Sequence, residues 1–181
     1  MEKPLWAPWR MDYVLGKRQE EGCVFCGVPE LAETARGERL VLACNASAYV
    51  VLNRYPFTAG HLLVVPHAHV EGLEDLDDEA HGALFRLVRG SVTRLRTAVK
   101  AEGFNVGLNL GAVAGAGIAA HLHVHVVPRW AGDTNFMPVL ADVRVVPQAL
   151  EATHAYLRAG FADLDEPRRG SVRPAAAGDP R

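Results

Sequence analysis

Short stretches of alternating or continuous apolar residues give way along this chain to longer stretches of helical period. Arg39 to Cys44, Ala48 to Asn53 and His61 to Val65 are brief runs rich in Val and Leu, bounded by Asn, Pro and Gly, and they read as strands. Pro56 and Gly60 punctuate the turn between the last two. From Asp77 the period changes. Leu84, Leu87, Val88, Val92, Leu95 and Val99 recur at helical spacing, with Asp77 as the cap, Asp78 and Glu79 behind it and Gly103 as the stop. Phe104 to Leu110 reads as a fourth strand, Gly111 to Gly117 as a glycine-rich loop, and His121 to Val127 as a fifth strand. Pro128 should close that strand, having no N–H for the ladder. Gln148 to Phe161 predicts a second helix with Leu150, Tyr156 and Leu157 inward. Strands joined by short turns, and helices that do not alternate with every strand, predict an α+β fold: an antiparallel sheet of about five strands with two main helices.

The fifth strand carries the most informative residues. His121, His123 and His125 alternate with Leu122, Val124 and Val126, so on a strand the three imidazoles share one face. On a helix the same spacing would splay them over about half the circumference at 3.6 residues per turn. Such a row is costly to bury without partners, which points to a site. Two chemistries suit it: imidazoles as metal ligands, or one imidazole as a nucleophile with its neighbours handling charge and protons. The preceding loop, Gly111-Ala112-Val113-Ala114-Gly115-Ala116-Gly117, can bring backbone N–H groups close to an anion, and Arg129 beyond the row adds positive charge; both favour catalysis.

Composition narrows the setting. At 181 residues, 49% hydrophobic, the chain suits one domain with peripheral segments. Residues 1–20 hold Trp6, Trp9, Met11, Tyr13, Val14 and Leu15, an expected packing segment against the domain or a second subunit. The domain is expected over residues 21–164, and residues 165–181, dominated by Pro, Arg, Gly and Ala, are expected to be a disordered tail. The net charge of −2 argues against nucleic acid as a partner, and Arg86, Arg89, Arg94, Arg96 and Lys100 read as a solvated helix face. No apolar run approaches the roughly 20 residues of a membrane span, and the N-terminus has no signal-like apolar stretch. The expectation is a cytoplasmic protein without a membrane partner. Of three cysteines, Cys23 and Cys26 form a C-x-x-C pair suited to metal or redox use, and Cys44 stands alone. His81 and His154 lie in helical segments and read as surface histidines.

His121-Leu122-His123-Val124-His125-Val126-Val127 resembles the H-φ-H-φ-H-φ-φ signature (φ hydrophobic) of the histidine triad, or HIT, superfamily. The resemblance continues upstream through Leu52-Asn53-Arg54-Tyr55-Pro56, Gly60-His61-Leu62-Leu63-Val64-Val65-Pro66 and His69-Val70, and covers roughly Cys23 to Arg129. The segments Leu5 to Met11 and Pro128 to Pro138 look like its bacterial diadenosine tetraphosphate phosphorylase branch.

The resemblance implies an enzyme with His123 as nucleophile, forming a nucleotidyl-imidazole intermediate, and His125 and His61 contacting phosphate oxygens. It implies Asn53 on the ribose hydroxyls, Val24 and Phe25 as an apolar wall for the base, and Asn109 orienting the phosphates. In zinc-containing relatives the C-x-x-C pair works with a histidine after the third strand and the first triad histidine, which here gives Cys23, Cys26, His69 and His121 around a structural zinc. His67 and Cys44 stand close enough in sequence to swap in. One departure stands out. Many members carry Gln-Ser or Gln-Thr where Gly117 and Ile118 stand, so backbone N–H groups of Gly115 to Ile118 are expected to replace a side-chain contact, and the open space fits phosphate as acceptor.

The leading function is therefore nucleotidyl transfer from a diadenosine polyphosphate to phosphate, by a homodimer, since the family pairs two sheets edge to edge. One alternative is hydrolysis of dinucleoside polyphosphates or nucleoside phosphoramidates through the same intermediate. Another is a non-catalytic nucleotide-binding or interaction protein, against which the joint presence of His61, His123 and His125 speaks. A zinc hydrolase using all three triad histidines as ligands would need a metal at the row itself.

Overall fold

The structure, a computed structural model, describes residues 22–28, 31, 33–133 and 149–165. Its centre is one five-stranded antiparallel sheet: β1 (Val41–Cys44), β2 (Ala48–Leu52), β3 (Leu62–Pro66), β4 (Gly103–Gly107) and β5 (Val124–Arg129), in the spatial order β1-β2-β3-β5-β4. Among the described residues three α-helices accompany it: α1 (Glu33–Glu38), α2 (Asp78–Ala98) and α3 (Leu150–Phe161). The α+β class, the strand count and the two long helices are as the residue pattern predicts; the one-and-a-half-turn α1 is an addition.

The two faces of the sheet carry different chemistry. Leu42, Val50, Leu52, Leu62, Val64, Val124 and Val126 meet Leu84, Leu87 and Leu95 of α2 and Leu157 and Phe161 of α3 in the main core. The opposite face gathers Phe25, Val28, Val41, Cys44, Tyr49, Leu63 and Val65. β1 serves both faces through a bulge: Val41 pairs with Val51, but Ala43 pairs with Val50, so Leu42 is the extra residue. That slip turns Leu42 and Ala43 together towards the helices and leaves Val41 and Cys44 on the other face.

Several local expectations are corrected. Asp77 does cap α2, its Oδ1 accepting from the Ala80 amide at 2.7 Å. The helix ends at Ala98, however, and the left-handed residue after it is Lys100 (φ 51°); Gly103 opens β4 instead. β4 stops at Gly107, opposite His125, three residues short of the strand end expected at Leu110. Pro128 does not close β5, which runs on to Arg129 with Pro128 paired to Phe104. The carbonyl of Pro128 accepts from the Thr58 hydroxyl at 3.1 Å on the side away from β4. N and C=O of one strand residue point the same way, so the missing N–H faces a side where the ladder to β3 has already ended.

The outer edge of β1 is covered by side chains. His154 Nε2 donates to the Val41 carbonyl at 2.8 Å, Arg158 donates to the Leu42 carbonyl at 3.0 Å, and Asp165 accepts from the Cys44 amide at 2.8 Å. His154 is thus a cap on a strand edge and not the ordinary surface histidine expected of a helical position. The Trp-rich segment 1–20, the 134–148 stretch and the tail beyond 165 lie outside the described residues. Among the described residues no helix is long and apolar enough to cross a membrane.

Candidate active site

The histidine row sits where β5 begins, on the face opposite the long helices. Only His125 lies within β5; His121 and His123 precede it, so strand alternation does not span the whole row. The rings nevertheless share one side. His123 and His125 have ring centroids 5.0 Å apart, and His125 lies 5.1 Å from His61 at the entry to β3. His61 and His121 are fully buried and His123 nearly so.

Hydrogen bonds to groups of known polarity assign the tautomers. The Phe57 amide donates to His61 Nδ1 at 3.0 Å, so that nitrogen bears the lone pair and Nε2 bears the proton. His61 Nε2 then donates to His125 Nδ1 at 2.9 Å, which leaves His125 with its proton on Nε2. His123 is set the opposite way. Its Nδ1 stands 2.8 Å from the His121 carbonyl, which can only accept, so Nδ1–H donates and Nε2 keeps a bare lone pair. One ring thus presents a bare lone pair beside another that presents an N–H. Asn53 flanks them: its Oδ1 accepts from the Tyr55 amide at 2.9 Å, and its Nδ2 lies 3.3 and 3.4 Å from the two nitrogens of His61.

Burial, with some help from nearby His123, pushes His125 down to about 4, so it is neutral at physiological pH, as the relay from Phe57 requires. Its ordinary value is 6.5, so between these limits the unfolded chain binds more protons than the folded one and stability rises with pH. This contribution is complete above about pH 6.5 and disappears on descent through about pH 4. The melting temperature is therefore expected to fall over that range, and to fall less steeply in His125→Asn; equal slopes for the two proteins would remove His125 as the cause.

Around these rings stand the other residues singled out in the sequence. Phe25 packs its ring 5.4 Å from His123 and 5.5 Å from His121, while Val24 is exposed beside it. The Tyr49 hydroxyl holds the Phe25 carbonyl at 3.0 Å, a contact that no local pattern announces. Asn109 is exposed two residues past the end of β4, where Gly107 pairs with His125. In the glycine-rich loop, Gly111 and Gly115 take φ of 79° and 84° about a single 3-10 turn at Ala112–Ala114. The Gly115 amide donates to the Ala112 carbonyl at 3.0 Å, so it is committed to that turn and not offered as a main-chain donor; Gly117 is exposed two residues further on. Arg129 likewise does not supply the charge expected of it: its guanidinium binds both carboxylate oxygens of Asp133 and the Asn105 side chain.

Cys23, Cys26, His69 and His121 converge beside the row, their four donor atoms all within 4.8 Å of one another. Cys23 Sγ lies 3.3 Å and Cys26 Sγ 3.6 Å from His121 Nδ1, and Cys26 Sγ lies 3.2 Å from His69 Nδ1. Ligand edges of about 3.3–3.8 Å follow from zinc bonds of about 2.0–2.3 Å at tetrahedral angles, so the set fits one metal ion. His121 Nε2 donates to the Pro66 carbonyl at 3.0 Å, which leaves Nδ1 as a lone-pair donor aimed at the thiols. Burial and the neighbouring Cys23 thiol push the Cys26 thiol up, a cost that a bound cation reverses. Cys44 and His67 form a separate pair, Sγ to Nε2 3.5 Å, outside this cluster.

Known proteins resemble this chain in sequence and in fold. Residues 37–132 match the HIT domain family model. The chain is 40% identical over 166 residues to the AP-4-A phosphorylase of Mycobacterium tuberculosis, covering 87% of this chain and 84% of that one. Among solved structures it resembles a Zn-bound histidine triad family protein from Mycobacterium smegmatis, with TM-score 0.62, 27% identity and coverage of 79% of this chain and 95% of that. It also resembles a hypothetical histidine triad nucleotide-binding protein from Sulfolobus tokodaii, with TM-score 0.61, 26% identity and coverage of 78% and 93%. The signature around His123, the sheet that carries it and these relatives together make the chain a member of the histidine triad (HIT) family, and an enzyme of that family.

Proposed function

We propose that the protein is a nucleotidyl transferase that cleaves diadenosine polyphosphates and passes the nucleotidyl group to inorganic phosphate. The observation that carries this reading is the bare Nε2 of His123, fixed by the Nδ1–H bond to the His121 carbonyl and set beside the Nε2–H of His125. Nε2 of His123 attacks the α-phosphorus; the P–N bond forms as the bond to the leaving polyphosphate oxygen breaks, and the leaving nucleotide departs with that oxygen's electron pair. His125 and His61 stabilise the charge developing on the phosphate oxygens. A phosphate oxygen then attacks the same phosphorus, the P–N bond breaks and neutral His123 returns. Diadenosine tetraphosphate plus phosphate thus yields ADP and ATP. Asn53 binds the ribose, Val24 and Phe25 border the base, and Asn109 with the loop through Gly117 faces the phosphates. The cluster of Cys23, Cys26, His69 and His121 holds one zinc ion, which supplies a structural clamp.

The name of the mycobacterial relative and the absence of a glutamine at Gly117 both support phosphate over water as the acceptor. Incubation with diadenosine tetraphosphate, with and without phosphate, tests it by resolving AMP, ADP and ATP. ADP and ATP should form rapidly only with phosphate present, and Gly117→Gln should narrow the difference by placing a side chain where relatives carry one. Equally fast release of AMP and ATP in phosphate-free buffer would replace this reading with the hydrolase.

The protein is further proposed to work in the cytoplasm as a homodimer joined along β4. With the β1 edge capped by His154, Arg158 and Asp165, the outer edge of β4, where Val106 is exposed, is left as the pairing edge. Light scattering at micromolar concentration should return twice the chain mass; a monomer mass refutes it.

A further inference from the structure

We infer that the Cys23–Cys26–His69–His121 cluster positions the nucleophile: closing it around a cation fixes the His121 carbonyl that keeps His123 in the Nδ1–H tautomer, and fixes the Phe25 ring against His123. The inference rests on the reading above, in which His123 attacks and the cluster holds zinc, and it gives the cluster a role in the chemistry beyond stabilising the fold.

Three atoms of His121 face three different partners. Nδ1 points to the thiols at 3.3 and 3.6 Å, Nε2 donates to the Pro66 carbonyl at 3.0 Å, and the main-chain oxygen accepts from His123 Nδ1 at 2.8 Å. That oxygen lies outside the sheet, since the pairing of β5 with β3 begins only at Val124 opposite Val64. The neighbouring Leu122 amide donates to Val70, on the same loop that carries His69. The place of the carbonyl therefore depends on how the His121 side chain and the His69 loop are held, and two of the four ligands belong to those elements. The other two belong to a turn closed by the Cys26 amide on the Cys23 carbonyl at 3.2 Å, and Phe25 stands between them. One tie thus locks the turn that carries the base wall to the residue that orients the nucleophile.

The chemical consequence follows from imidazole itself. Neutral imidazole has one lone pair, so a ring that loses its Nδ1–H acceptor can place the proton on Nε2 and present no electron pair to phosphorus. Cys26 and His69 are exposed whereas His121 and His123 are buried, so a cation or chelator reaches the cluster from outside without passing the catalytic rings.

The test reads the tautomer directly, by NMR of protein with nitrogen-15-labelled histidine, in the purified zinc-loaded form and after chelation, with far-UV circular dichroism as the control for fold. His123 is expected as a single Nδ1–H tautomer with zinc and as a mixture without it; AMP affinity should weaken several-fold, and both should recover when zinc is added back. An unchanged tautomer and unchanged AMP affinity in folded, metal-free protein overturn the inference. If chelation costs the fold, Cys26→Asp, which keeps four ligands but loosens one, is read instead. Mixed tautomers and a kcat lowered about tenfold or more, with KM little changed, support positioning; wild-type tautomer and kcat overturn it. Inactivity on diadenosine tetraphosphate would strike only the proposed reaction, because the tautomer is read without substrate.

Discussion

Replacing His123 with alanine should lower turnover by at least about a thousandfold, the scale on which removal of a covalent nucleophile acts. The loss should fall on kcat, since no other imidazole is arranged to substitute. His61 offers its lone pair to the Phe57 amide, His125 offers its own to His61, and His121 directs its Nδ1 to the thiols. AMP binding should persist within several-fold, because Phe25, Asn53, His61 and His125 remain. Alanine leaves space for the phosphate; it removes the Nδ1–H on the His121 carbonyl and the ring contacts with Phe25 and His125. A variant with near wild-type kcat would take the nucleophile role away from His123, and loss of AMP binding together with kcat would show that the site had collapsed.

The second large effect concerns metal. Purified protein is expected to carry about one zinc per chain, as a single Cys2His2 set allows. A ligand present at about a thousand times its dissociation constant adds about 4 kcal/mol to the native state. For a chain of this length each kcal/mol moves Tm by about 2–4 °C, so chelation should lower Tm by roughly 10 °C. Cys26→Ser should produce most of the same shift, and chelating that variant should add little, because both remove one coordination shell. The core of α2 and α3 on the sheet stays whole in either case, so a cooperative transition should survive. Elemental analysis without zinc, together with a Tm indifferent to chelators, would reduce the cluster to a packed thiol–imidazole group.

Local pattern determined a good deal. Period-2 and period-3.6 spacing marked five strands and two helices, because burial on one face leaves a regular imprint on the sequence. Asp77 announced the start of α2, since an N-cap acts within its own turn. The triad spacing identified the family and singled out His123, and the C-x-x-C pair pointed to metal. What escaped depends on which partner the folded chain brings to each group. The left-handed Lys100 rather than Gly103 follows the end of α2, and Gly103 instead opens β4. Pro128 stays in β5 because its missing N–H faces a side where the ladder to β3 has ended, the side on which Thr58, 70 residues away in sequence, donates to its carbonyl. The cap of His154 on Val41, the pairing of Arg129 with Asp133 and the commitment of the Gly115 amide were equally invisible, each being a hydrogen bond chosen by local geometry among many partners of equal chemistry.

Residue type and spacing are local properties, so they pointed to the candidate residues of this site. Which nitrogen of each imidazole carries the proton is set by the fold. Four histidines with the same intrinsic basicity present different nitrogens because the Phe57 amide, the His121 carbonyl, the Pro66 carbonyl and the two thiols each reach a different ring nitrogen, and the roles proposed for them rest on that difference. A neutral imidazole carries one proton on either of two nitrogens, and the choice belongs to whichever partner the fold brings within hydrogen-bonding distance.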